Sequence, residues 1–209
     1  MSSTPNTPLR LAITRELPIN DQVRTLRFCY SACVIDGHCL GWLPAVAYDN
    51  YHLKGRIVVL FNNDDLVGFC LHSDDGFELR CLQVWVRRDA RLILHGRALV
   101  DWLNNSAHEK GLKNLRLWCA VDLEANFFWQ ALGFTYTCWR WGRTVNGRRH
   151  ALWRRPVTPP FEPHPQSVWQ PPTALAPPTP RLSLQDLWRE VETTPQARQP
   201  TALALPAAD

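Results

Sequence analysis

The sequence predicts a mixed α/β domain: one mostly antiparallel sheet with a single parallel crossover, flanking helices, and a proline-rich tail. Three observations carry this. Between Arg56 and Val86, "RIVVLF", "LVGFCLHS" and "FELRCLQVWV" are separated by "NNDD" and "DDG", the pattern of an antiparallel meander. After Val86 a helical pattern leads to the apolar run "NLRLWCAV", which is a strand–helix–strand crossover. Finally, 13 of the 17 prolines lie at or beyond Pro156, where periodicity stops. The folded domain is therefore placed at residues 9–156, after a flexible N-terminus (1–8) and before a tail (157–209).

The elements run in order. "LRLAITREL" (Leu9–Leu17) reads as a first strand. "INDQVRTLRFCYSACV" places Val23, Leu26, Tyr30 and Cys33 at helical spacing, with Asn20 or Asp21 as cap. "PAVAYDNYHLKG" is a second helix, with Pro44 in its first turn and Gly55 beyond its end. The three meander strands come next. From Gly96 to His108, Leu99, Trp102, Leu103 and Ala107 share one helical face. "EANFFWQAL" is a short helix ended by Gly133. "FTYTCWRWGRTV" and "RRHALWRRPV" flank Asn-Gly, the strongest two-residue hairpin signal.

Bulk properties narrow the function classes. The tail from Val157 carries three arginines against five acidic residues, which leaves six excess positive charges on the preceding part of a chain whose net charge is +4. An anionic ligand or a nucleic acid suits that excess. The seven cysteines are an odd number set mostly in apolar runs, the usage of reduced core thiols in a cytoplasmic protein; no metal is expected. "MSSTPNTP" is polar, unlike a signal peptide, and no apolar run reaches the length of about 18 residues needed to span a membrane.

Chemistry concentrates after Val86. The helix starting near Gly96 points its first N–H groups toward the preceding loop, its dipole is positive there, and glycine lets an anion touch the backbone. Arg91 and Arg97 flank the position, and arginine grips phosphate oxygens in a fork. His95 adds a further donor. These residues predict an anion site suited to a pyrophosphate; a solvated basic turn is the alternative.

"VRRDARLILHGRAL", with Val86, Arg91, Gly96 and the run Gly96–Leu99, resembles the signature of the GNAT family of acyl-CoA-dependent N-acyltransferases. It departs from that signature at Leu94, where the family usually has its first glycine. "DLEANFFWQALGF" is similar to the family's later signature, an asparagine segment running to Leu-Gly-Phe. The resemblance is specific from Glu78 to Phe134 and looser over Leu9–Arg155. It implies an acyl group, acetyl by default, moved from acyl-CoA to an amine. The pantetheine arm would pair with backbone around Val84, Trp85 and Val86, and the pyrophosphate would lie against Arg91, Leu92, Leu94, His95, Gly96, Arg97 and Ala98. Asn126 and Trp129 would touch the cofactor. Trp129 stands where many members carry a tyrosine acid, and Tyr136 is the substitute.

An ammonium acceptor, with a pKa of about 10.4, must lose its proton before attack. Glu78 is the candidate base because simple alternation puts it on the strand face of Val84 and Val86; Asp75 is the other candidate. The basic, tryptophan-rich hairpin 138–155, with Arg140 and Arg149 as acceptor contacts, suits a nucleic-acid-linked amine. The rival is a non-catalytic adaptor of the same fold that binds nucleic acid or protein. In the tail, Leu184, Leu187, Trp188 and Val191 make an amphipathic stripe over 183–192, fit to dock on the domain itself or on a protein partner.

Overall fold

A computed structural model describes residues 9–41, 43–91, 94–142 and 147–160. Leu92, the hairpin tip and the tail stripe 183–192 therefore lie outside the described residues. Seven strands hydrogen-bond in the order β1-β2-β3-β4-β5-β7-β6. They are β1 (Leu9–Ile13), β2 (Ile57–Asn62), β3 (Asp65–Asp74), β4 (Glu78–Val86), β5 (Asn114–Ala120), β6 (Thr135–Trp141) and β7 (Arg149–Pro156). Four helices join them: α1 (Ile19–Leu40), α2 (Ala45–Leu53), α3 (His95–Glu109) and α4 (Ala125–Ala131). The expected fold class and element order are present. No helix among the described residues is long and apolar enough to cross a membrane.

The described residues divide into two compact units, one on either side of breaks after Leu117 and Trp153, so the division falls inside β5 and inside β7. In the first unit, β1 to β4 form an antiparallel meander, and β4 pairs parallel with β5 over Glu78–Cys81 and Asn114–Leu117. Helices cover both faces of the meander, which is why β2 and β3 read as continuous apolar runs rather than alternating ones. Cys29, Ala32, Cys33 and Tyr48 from α1 and α2 cluster with Ile57, Val59, Phe69, Leu71 and Trp85. Leu99, Val100, Leu103 and Ala107 of α3 are all buried, and α3 packs on β3 and β4. Truncating a fully buried leucine such as Leu99 or Leu103 to alanine removes about 2–5 kcal/mol.

Several boundaries differ from the sequence pattern. The first strand stops at Ile13, because Thr14–Glu16 form a 3-10 turn whose buried Thr14 hydroxyl meets His52 Nδ1 at 2.9 Å. Pro18, not Asn20 or Asp21, is the cap of α1. The Gln22 side chain closes that end by donating to the Leu17 carbonyl at 2.7 Å. Helix α1 continues past Val34 to Leu40, through a non-helical residue at Asp36 (φ −118°, ψ 25°). Beyond β7 the chain is clamped to the flank of α3: the Asn104 side chain donates to the Thr158 carbonyl at 2.7 Å and accepts its N–H at 3.1 Å.

The second unit is pinned by Asn126, which is fully buried. Its amide nitrogen donates to the carbonyls of Leu123 (2.6 Å), Ala120 (2.9 Å) and Val121 (3.2 Å), and its oxygen accepts the Trp153 indole N–H at 2.9 Å. Phe128, Trp129 and Phe134 pack edge-on around the C-terminal half of α4.

Candidate functional site

Strand β4 changes character along its length. Opposite β3, His72 pairs with Cys81 but Leu71 pairs with Gln83, so Leu82 is one residue too many. Such a bulge bends its strand and increases the local twist. The parallel register with β5 ends at the same place, at Cys81. From Leu82 to Val86 the strand keeps β3 on one edge and has no ladder partner on the other among the described residues.

Beyond the bulge the strand is held firmly. Gln83 is buried; it accepts the Tyr48 hydroxyl at 2.9 Å and donates to the Gly41 carbonyl at 2.8 Å, tying the connection between α1 and α2 to β4. Burial pushes the Tyr48 hydroxyl up, so it stays protonated and able to donate. Gly68 allows β3 to approach closely: a Cβ there would lie 2.8 Å from the Trp85 carbonyl.

The loop from β4 to α3 is fastened at several points. Arg87 makes a bidentate contact with Asp65 (2.7 and 3.0 Å) and reaches Asp89 at 2.6 Å. Arg91 Nε donates to the Val86 carbonyl at 2.9 Å. Asp36, at the break in α1, accepts from Trp85 Nε1 (2.8 Å), Arg88 Nη2 (2.8 Å) and Arg91 Nη2 (3.0 Å). Burial raises the Asp36 carboxyl, but the hydrogen bonds from Trp85 and Arg88 and the charges of Arg88 and Arg91 outweigh this and hold it below the usual carboxylate range. Next to this carboxylate is a cleft of about 440 Å³, lined by Phe28, Ala32, Ile35 and Trp85 among others.

At the mouth of α3, Leu94 takes a left-handed conformation (φ 58°, ψ 3°). That conformation costs a non-glycine residue about 1–2 kcal/mol, which explains why glycine is usual at this point of the signature. Leu94 is 71% exposed. The first helical turn closes from Ala98 N–H to the Leu94 carbonyl at 3.0 Å. The N–H groups of His95, Gly96 and Arg97 therefore precede the helical ladder, as anion-binding amides do.

Residues 20–134 match the acetyltransferase (GNAT) family profile. The chain belongs to the GNAT family. Solved structures agree on the GNAT fold. Ard1 from Thermoplasma volcanium is 19% identical, with 73% of this chain and 98% of that one covered at a TM-score of 0.60. yncA from Salmonella typhimurium, solved with acetyl-CoA, is 16% identical over 76% of this chain and 99% of its own, with a TM-score of 0.59. An N-acetyltransferase from Staphylococcus aureus Mu50 is 15% identical over 73% and 100%, with a TM-score of 0.58. No curated protein sequence matches this chain.

On this GNAT frame the sequence-derived residues separate. Val84, Trp85 and Val86 lie on the single-edged part of β4, one loop away from Gly96 and Arg97. Glu78 does not join them. It sits six residues before Val84, about 20 Å along a strand. The bulge also reverses the alternation: Val84 and Val86 share the face of Cys70 and Gly68, which is His72's face, whereas Glu78 lies on the opposite one. Its carboxylate is buried and takes Arg116 Nε at 3.1 Å, Arg154 Nε at 3.2 Å and Asn114 Nδ2 at 3.3 Å. It is the centre of a buried ion-pair cluster, on the face away from Val84 and Val86.

Asn126 is likewise turned inward: its amide nitrogen and its oxygen are both engaged inside its own unit. The His95 ring turns inward, with Nδ1 donating to the Ala90 carbonyl at 2.8 Å, so only its backbone is offered at the helix mouth. Arg97 is exposed and reaches Asp101 at 3.4 Å. Trp129 is buried among phenylalanines. Tyr136 lies edge-on to Trp153. Arg140 stacks on Trp118 at 4.2 Å, and Arg149 lies against Trp139 and Trp141 at 5.4 and 5.1 Å.

Two positions escaped the sequence pattern. Gln83 gives no periodic signal. Asp36 gives a faint one: an acid followed by Gly37 inside an otherwise apolar helical segment marks a break.

Proposed function

We propose that this GNAT chain transfers an acyl group, acetyl by default, from acyl-CoA to an amine. One observation carries the proposal: the single-edged stretch Leu82–Val86, opened by the Leu82 bulge, runs directly into the loop that ends at the α3 amides. The free strand edge offers backbone groups to the amide-bearing pantetheine arm, which would add as a further strand. The N–H groups of His95, Gly96 and Arg97, with the Arg97 side chain, suit the diphosphate. Bound acyl-CoA supplies a thioester carbonyl with a good leaving thiol. The ammonium would first lose one proton to solvent; the neutral amine nitrogen would then attack that carbon, a C–N bond forming as the C–S bond breaks, and the second nitrogen proton would pass through solvent to the departing thiolate. The presence of acetyl-CoA in the yncA structure supports acetyl as the default donor.

Calorimetry with coenzyme A, followed by thiol release from acetyl-CoA across a panel of amines, tests this. Binding in the micromolar range and amine-dependent thiol release are expected. Absence of binding at millimolar coenzyme A would leave the adaptor alternative.

For the acceptor, the hairpin favours a nucleic-acid-linked amine. Arg149 lies on two indoles, and Trp141 is 40% exposed, which combines the cation and the stacking surface that single strands use. Retardation of single-stranded DNA that weakens steeply with salt is the expected result; salt-insensitive or absent binding removes this acceptor class.

A further inference from the structure

Asp36 is a buried carboxylate in the last part of α1, and its partners all come from another part of the chain. Its side chain is 4% exposed, yet Arg88 and Arg91 remain 70% and 46% exposed. The Trp85 indole N–H supplies the third donor. The Asp36 backbone is itself non-helical, so α1 breaks where the carboxylate meets the loop. Burying a carboxylate is unfavourable unless it is paired and hydrogen-bonded. Here the pairing ties both ends of the 3-10 turn Arg88–Ala90 to α1, immediately before Leu94 and the α3 mouth.

We propose that Asp36 is a positioning residue for coenzyme A: it holds the β4–α3 loop in the shape that aims the His95, Gly96 and Arg97 amides at the diphosphate. This rests on the acyl-CoA assignment above. Asp36 touches none of the reacting atoms; it acts through Arg88, Arg91 and Trp85.

The sign of the effect separates positioning from simple electrostatics. Asp36 is an anion close to an anion site, so as a bare charge it repels the diphosphate. Neutralising it would then tighten coenzyme A binding, and salt would erase the gain. As a tether it does the reverse: losing it loosens the loop, and binding must then include the entropy of re-ordering it.

The experiment measures coenzyme A affinity of the full chain by calorimetry, for wild type, Asp36→Asn and Asp36→Ala. Positioning predicts that Kd rises roughly tenfold in Asp36→Asn and further in Asp36→Ala. KM for acyl-CoA should rise in step, while kcat changes by less than about twofold. In the ligand-free protein, the amides of Arg88–Arg91 should exchange faster in Asp36→Asn than in wild type. The Asp36→Asn effect should also shrink in an Arg88→Ala background, as expected for a residue acting through Arg88. If Asp36→Asn does not fold, Trp85→Phe keeps both arginines and removes one donor, with an expected weakening of about two- to threefold.

Equal or tighter binding by the variants, or unchanged exchange in the loop, overturns the proposal. A wild type that fails to bind coenzyme A overturns the acyl-CoA assignment instead, so the two failures are distinguishable.

Discussion

The two ends of β4 lie on either side of one bulge, and they are built differently. Over Leu79–Cys81 the strand is paired on both edges, and Glu78 just before them holds two arginines on one buried carboxylate. From Leu82 to Val86 it has β3 on one edge only and is fastened through its side chains, with Gln83 on Tyr48 and Gly41 and Trp85 on the Asp36 carboxylate. One end spends its polar groups on its own structure. The other keeps backbone groups available and fixes its side chains so that the backbone stays in place. Charge density is thus a poor guide to the active end of this strand: ion pairs crowd both ends, Glu78 with Arg116 and Arg154 at one and Asp36 with Arg88 and Arg91 beyond the other.

Deleting Leu82 should break the contrast most severely. The deletion would leave Cys81 opposite His72 and Gln83 opposite Leu71 in a regular ladder, so both segments keep their faces and only the bend and extra twist are lost. Loss of coenzyme A binding in calorimetry, with little change in urea unfolding, is expected. Glu78→Ala comes next. It leaves Arg116 and Arg154 facing an empty position, but these keep 27% and 39% exposure, so the expected loss is about 2–4 kcal/mol, measured by urea unfolding. The shape of the pH profile of kcat/KM should stay unchanged; loss of its limb would restore Glu78 as the base.

His72 tests the border itself, since it pairs with Cys81 and lies against Trp102 at 5.5 Å. Burial, with Lys110 and Arg56 nearby, pushes it down from 6.5 to about 4. A depressed histidine binds its proton more readily when unfolded, so stability is full above pH ~6.5 and falls as pH drops toward ~4. The loss over that window should be about 2–3 kcal/mol in wild type, and urea unfolding across pH should show it flattened in His72→Leu. The smallest effect is expected at the open end. Leu94→Gly relieves the left-handed leucine and should raise stability by up to about 1 kcal/mol, seen as a slightly higher melting temperature, without weakening coenzyme A.

Much of this molecule was legible in its residues. The meander, the crossover, the hairpin and the boundaries of α2 and α3 follow from runs, turns and caps that act locally. The helix mouth was also legible, because Gly96 beside two arginines is a local pattern. What failed depended on one residue of register. Alternation through "FELRCLQVWV" has no visible fault at Leu82, yet the bulge there reversed the face of everything beyond it and separated Glu78 from the site. Asn126 misled for a related reason: an asparagine at a helix start looks available until the carbonyls around it are seen. Asp36 was missed because its partners lie 49 to 55 positions away, a distance at which a single sequence carries no pairing signal.

The grip of Asn104 on Thr158 has a practical corollary. It takes the strain at a knot on α3, so a pull on the C-terminal segment stops there before it reaches β7. Replacing Asn104 would therefore free the chain just beyond the last strand as well as altering the flank of α3.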